Sequence, residues 1–264
     1  MKWIMASVLC LSAVCAQAKE ACDMELEGGL RITKDALEFT QGDTAQYKIL
    51  KDQTLWSKGR QVKLNDQQQM LVTQYATSIR ALVPEVRQLS LEGVDLAAQA
   101  MNLAFQEFLA PGNTTAQKIA KEFTLLRADI EQGFANEKPI TINQKGFSDG
   151  DFLGTGFEQR ISNIVEASGK EISWDLIKSI ASAIFSGDEK ASNFESRMNK
   201  FGEKMEREMK LRSEKLEARS HSVCRSVAAL DKQEEAMKVS IKEIGHFNLI
   251  QMKQTVQLGA NKSL

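Results

Sequence analysis

Residues 55–75 read LWSKGRQVKLNDQQQMLVTQY, and within them the apolar period changes from two to nearly four. Upstream, Leu37-Glu38-Phe39 and Tyr47-Lys48-Ile49 alternate apolar with polar, and Gln61-Val62-Lys63-Leu64 makes a third such run. Alternation places one face of a strand on a core and the other in water. Gln41-Gly42-Asp43 and Lys58-Gly59 supply turns between the runs, because glycine reaches positive φ without steric cost. Asn65 and Asp66 then offer side-chain oxygens to the free N–H groups of a helix start, and Leu71, Tyr75, Ile79 and Leu82 follow at helical spacing. The stretch predicts a small antiparallel meander handing over to a helix, on which it must lean because three short strands bury little alone.

The helical period persists. Val86, Leu89, Val94, Ala98, Met101, Phe105 and Phe108 extend the stripe past Pro84, which sits either in a first helical turn or at a kink. Ala110-Pro111-Gly112 ends it, and Thr114 or Thr115 caps a second helix carrying Ile119, Phe123, Leu126, Ile130 and Phe134. Pro139-Ile140-Thr141-Ile142-Asn143 reads as a lone strand that adds to the meander. Gly146–Gly156 is a glycine-rich connector, and Ile172, Leu176, Ile177, Ile180, Ile184 and Phe185 form a shorter helix.

From Asp188 to Ile244 there is no proline and one glycine, Gly202. Phe194, Met198, Phe201, Met205 and Met209 step at helical spacing. The seven-residue series Leu216, Val223, Leu230, Met237, Ile244 then takes over, joined by Val227 and Ile241, with a stutter near Met209 between the two registers. This predicts a long charged C-terminal helix with a coiled-coil character. Its stripe of Phe194, Met198, Phe201, Met205, Met209, Leu216, Val223 and Leu230 serves either the protein's own core or an interaction.

Lys2, the apolar run Ile4–Val14 and Ala16-Gln17-Ala18 form an export signal with a small-x-small cleavage site, so the expected mature chain begins at Lys19. Cys10 and Cys15 leave with the signal. Cys22 and Cys224 remain, and in an oxidising compartment they make one disulfide, a structural staple between the N-terminus and the long helix. The net charge of −1 over the whole chain provides no field for nucleic acid. Past the signal no run is long and apolar enough to predict a transmembrane span in the mature protein.

The inventory for catalysis is poor. His221 and His246 are the only histidines and stand in no metal-ligand spacing. Neither a nucleophile elbow nor a phosphate-binding or dinucleotide fingerprint occurs. Asp149-Gly150-Asp151 begins like a calcium loop but continues with Leu153 and Arg160 where oxygen ligands are needed. No catalytic, cofactor-binding or metal residue is therefore assigned, and no cofactor is expected. The face Trp174, Ile177, Ile180, Ala181, Ile184 and Phe185 carries too few cations for strong attraction to anionic lipid, so it reads as core.

The export signal, Cys22, the run from Leu55 to Leu64, the entry Asn65-Asp66-Gln67-Gln68, Tyr75 with Arg80-Ala81-Leu82-Val83-Pro84, and Cys224-Arg225-Ser226-Val227 together resemble the YggN-like family of Gram-negative periplasmic proteins, whose function is unknown. The resemblance implies a periplasmic location and transfers no active-site residue. The expected architecture is α+β: a signal over residues 1–18, the meander over 19–64, a helical region over 65–187 with its strand near 139–143, and the long helix and tail over 188–264, all packed as one unit. The expected function is non-enzymatic, through protein-protein or surface contacts with envelope proteins or with another copy along the long helix. A carboxylate-based enzyme and a lipid-binding protein are the alternatives. Clustered acids with raised pKa would mark the first, and a large apolar cavity the second.

Overall fold

A computed structural model describes residues 24–108, 112–135, 138–144, 146–147, 159–160, 162–164, 166 and 188–252. The order of elements is β1 (Met24–Leu26), β2 (Gly29–Ile32), β3 (Ala36–Gln41), β4 (Thr44–Leu50), β5 (Thr54–Ser57), β6 (Arg60–Gln61), α1 (Asp66–Phe108), α2 (Thr114–Gly133), β7 (Ile140–Asn143), β8 (Gly146–Phe147), α3 (Asp188–Ser240), a 3-10 turn (Lys242–Ile244) and β9 (Ile250–Met252). The fold is α+β, with an N-terminal antiparallel sheet and a long C-terminal helix. The predicted helix over residues 172–187 and the glycine-rich connector around Asp149 and Asp151 lie outside the described residues.

The chain divides into two compact units that interleave along the sequence. The first takes residues up to Leu82, Pro139–Ser148 and His221 onward; the second takes Val83–Lys138 and Asp149–Ser220. α1 and α3 each give residues to both.

In the first unit the sheet runs in the order β6-β5-β4-β3-β2-β7-β8, every neighbour antiparallel. The expected meander is thus part of a larger sheet, and its third strand is misplaced. Thr54–Ser57 pairs with β4 and turns through Lys58 and Gly59, both at positive φ, into the short β6. This is the turn geometry that matches strand twist. It lies between strands rather than before one, so Val62, Lys63 and Leu64 fall in the connection to α1.

Leu37, Phe39, Tyr47, Ile49 and Leu55 alternate into the buried face, together with Val72, Tyr75, Ala76 and Ile79 of α1 and Val227, Leu230 and Met237 of α3. Phe39 stacks on Tyr47 at 4.2 Å and lies 5.8 Å from Tyr75, while Phe247 meets Phe39 and Tyr47 edge-on. Such ring pairs contribute about 0.5–1.5 kcal/mol each beyond area burial. Asn65 opens α1 with a reciprocal cap: the Gln68 N–H donates to its Oδ1 at 2.9 Å, and its own N–H donates to Gln68 Oε1 at 3.0 Å. Pro84 lies inside α1. Asn113, rather than Thr114 or Thr115, caps α2, accepting the Ala116 N–H at 3.0 Å.

Two features were not anticipated. β9 pairs with β1, setting Met24 opposite Met252. The loop between β4 and β5 carries Lys51 and Asp52 at φ of 49° and 59°, a left-handed conformation that costs about 1–2 kcal/mol per non-glycine residue. Arg80 supports it, with Nε donating to both Asp52 carboxylate oxygens at 2.7 and 2.8 Å and Nη1 to the Thr33 carbonyl at 2.7 Å.

In the second unit Phe105, Ile119, Phe123, Leu126 and Ile164 form a core cluster. Around it, Arg127 pairs with Asp95 at 3.2 Å and Glu131 at 2.8 Å, Arg160 with Asp129 at 2.8 Å, and Arg219 of α3 with Glu92 of α1 at 2.9 Å.

Candidate functional site

The apolar stripe of α3 changes character along its length. From Val227 onward it is spent on the core of the first unit: Val227, Leu230, Met237, Ile241 and Ile244 are all buried, Leu230 to 3% exposure. From Met198 to Val223 no residue is buried. Met198 is 36% exposed, Phe201, Met205, Met209, Leu216 and Val223 are half-buried, and Leu211 stands 68% exposed. Phe194 belongs to α3, but its side chain lies outside the described ones. Helix is expected across this region because proline is absent and glycine appears once, while Glu, Lys, Met and Leu dominate. A half-buried apolar row flanked by charge is what a helical partner recognises.

Cys224 is buried on α3, whereas Cys22 lies outside the described residues. His221 is half-buried on α3, and His246 is exposed, with Nε2 3.2 Å from Gln46 Oε1. Among the described residues no three Cys, His, Asp or Glu side chains gather as a metal site. No described helix is long and apolar enough to cross a membrane.

The sequence reading missed Glu234. Its carboxylate, 1% exposed, accepts the Leu249 N–H at 2.9 and 3.1 Å and the Ile250 N–H at 3.3 Å. Burial raises its pKa to about 7 against these two hydrogen bonds and Lys238, which oppose the rise, while Glu235 adds to it. Tyr47 and Tyr75 stand nearby, and burial, helped by the field of Glu234, pushes both phenols up. Neither hydroxyl finds a well-formed hydrogen bond among the described residues. A signal was present: Val227, Glu234 and Ile241 are seven apart, so a carboxylate occupies an apolar register position. The surrounding core of Phe39, Tyr47, Tyr75 and Phe247 is closely packed, and the carboxylate is committed to two main-chain amides. This arrangement anchors the return from α3 into β9.

α1 and α2 also border an open groove of about 330 Å³ within the second unit, floored by Phe105, Ile119 and Phe123 and widened by Ala98, Ala116 and Ala120. The Asp95–Arg127 pair lies in its wall.

A family model described as a protein of unknown function, DUF2884, matches residues 22–250. The chain belongs to that family. The match runs from the cysteine before β1 to the first residue of β9, so it takes in both described units of this DUF2884 protein. No curated protein and no solved structure matches the chain.

Proposed function

We propose that this DUF2884 protein is a YggN-like protein exported to the periplasm and acting there without catalysis, through contacts made by the outer part of α3. One observation carries the reading: from Met198 to Val223 an apolar row on a charged helix contains no buried residue. Export rests on the signal-like residues 1–18, which precede the family match. A staple between Cys22 and Cys224 belongs to the same reading. It draws support from Cys224, which is buried, and from β1, which starts two residues after Cys22. Against an enzyme, the carboxylate with the largest rise in pKa among the described residues is held by two amides inside a packed core.

A photo-crosslinking side chain at position 209, introduced in cells, tests the proposal. Protein adducts should form, and Met205→Glu should remove them; absence of adducts from every position of the row sinks the contact reading. Mass analysis of the extracted protein should give a chain starting at Lys19, and a retained Met1 would refute export.

The groove beside α1 and α2 favours lipid binding as a second reading, although its volume sits at the lower end of small-molecule sites. Displacement of an apolar dye by a single-chain lipid, lost in Ala98→Leu, would support it.

A further inference from the structure

Polar groups of α3 and of the turn before β2 tie down the return from α3 into β9. Glu234 accepts the Leu249 and Ile250 N–H groups, Lys238 Nζ donates to Asn248 Oδ1 at 3.0 Å, and Asn248 Nδ2 donates to Glu27 Oε2 at 3.0 Å. The Leu249 carbonyl accepts the Glu27 and Gly28 N–H groups at 3.0 and 3.4 Å. β1 and β9 pair with each other in a two-stranded ribbon separate from the seven-stranded sheet. This ribbon can come apart without breaking a strand pairing of that sheet.

An ionised carboxylate that is 1% exposed needs a cation in return for its lost hydration. Among the described residues none pairs with Glu234. Lys238, about one turn along α3, spends its ammonium on Glu235 Oε1 at 2.6 Å as well as on Asn248. The remaining neighbours give the charge no counterpart: Tyr47 of β4 and Tyr75 of α1 are phenols held neutral by burial, and Glu235 and Asp231 of α3 are acids. Glu27 lies beyond Asn248, and His246 is turned to Gln46. The two amides offset part of the cost, yet burial still raises the Glu234 pKa from 4.5 to about 7.

We propose that Glu234 is a proton-operated latch: its ionisation frees residues 248–252 from α3 and β1 from β9, while β2–β5 stay folded. Closed, the latch holds its proton; open, the carboxylate meets water and returns to the ordinary range. As pH rises from 4.5 to about 7, the closed form therefore loses its advantage by about tenfold per unit. Opening leaves the main-chain groups of Met24–Leu26 as a free strand edge, which another extended segment can join.

Hydrogen exchange of the full chain between about pH 5 and pH 7.5, corrected for the intrinsic pH dependence of amide exchange, tests the latch. Peptides over residues 24–28 and 248–252 should be at least about tenfold less protected than those over residues 36–57, and unaffected by mild urea, because a local opening exposes little surface. Their protection should fall by about fiftyfold across that range. Glu234→Gln should abolish the fall, whereas His246→Gln and Asp231→Asn should keep most of it. Equal protection in the two regions would mean that the return opens only by global unfolding, and would overturn the inference. So would a flat profile in the wild type, a fall that survives Glu234→Gln, or one that vanishes in His246→Gln. If Glu234→Gln does not fold, the wild-type profile and the other two variants decide alone.

Discussion

Glu234 holds Leu249, fifteen residues further along the chain. The main-chain N–H of Leu249 is shared between the two oxygens of one buried carboxylate, and the next N–H, of Ile250, donates to the same group.

This carboxylate makes stability depend on pH. Its folded pKa is raised from 4.5 to about 7, so the folded state binds the proton more tightly than the unfolded chain. The contribution is complete below pH 4.5 and is lost as pH rises through 7, amounting to at most about 3 kcal/mol. Glu234→Gln should flatten the pH dependence of urea unfolding between those values. A smaller slope should remain from Asp231, whose pKa is also raised, chiefly by burial. Glu234→Ala should cost about 2 kcal/mol or more at pH 5, because two buried N–H groups lose their acceptor.

Gly28 lies against Phe247. A Cβ at position 28 would stand 2.4 Å from Phe247 Cζ and 3.0 Å from the Asn248 carbonyl. Gly28→Ala should therefore destabilise the protein by about 1–3 kcal/mol through overpacking, read as a lowered denaturation midpoint. Gly42→Ala removes no space, since nothing lies within 4 Å, and should cost only the strain of positive φ.

The Arg80–Asp52 pair holds the left-handed Lys51-Asp52 loop. Asp52→Ala should cost about 1 kcal/mol, since both side chains are partly exposed. Arg80→Ala should cost more, because the Thr33 carbonyl also loses its donor. The double variant should be no worse than Arg80→Ala alone, and thermal unfolding of the three would establish the coupling.

Two charges on one helix should have different fates. Leu230→Glu places a carboxylate in the core and should unfold the first unit. Met205→Glu lies on the half-buried row and should keep native circular dichroism while losing association. Unfolding by both would remove the support for a contact surface on α3.

Much of this was legible in the sequence. Leu37, Phe39, Tyr47 and Ile49 announced the sheet by alternation, and Val72, Tyr75 and Ile79 follow the helical period. Leu55 escapes the alternation because the turn at Lys58-Gly59 reads equally as the start of a strand and as the middle of a hairpin. The β1–β9 pairing was not legible, since three-residue strands carry almost no periodic signal and their register is set from the far end of the chain. The stripe of α3 was visible from Phe194 to Ile244, but not its division near Val223. Periodicity identifies which face is apolar and not what covers it. Glu234 escaped because a charged residue in a long charged helix looks ordinary until its register is counted.

The pairing of β1 with β9 also sets an order in time. The first unit gathers residues up to Leu82, a short return near Ile140, and α3 from His221 onward. A chain that emerges from its N-terminus can form hairpins early, but β1 waits for Ile250–Met252. Until then Phe39 and Tyr47 lack Phe247, which meets both rings in the finished unit. That pairing is the last that the described strands can make, since it joins the two ends of the first unit, and a chain truncated before Leu249 would leave both β1 and the carboxylate of Glu234 without their partners.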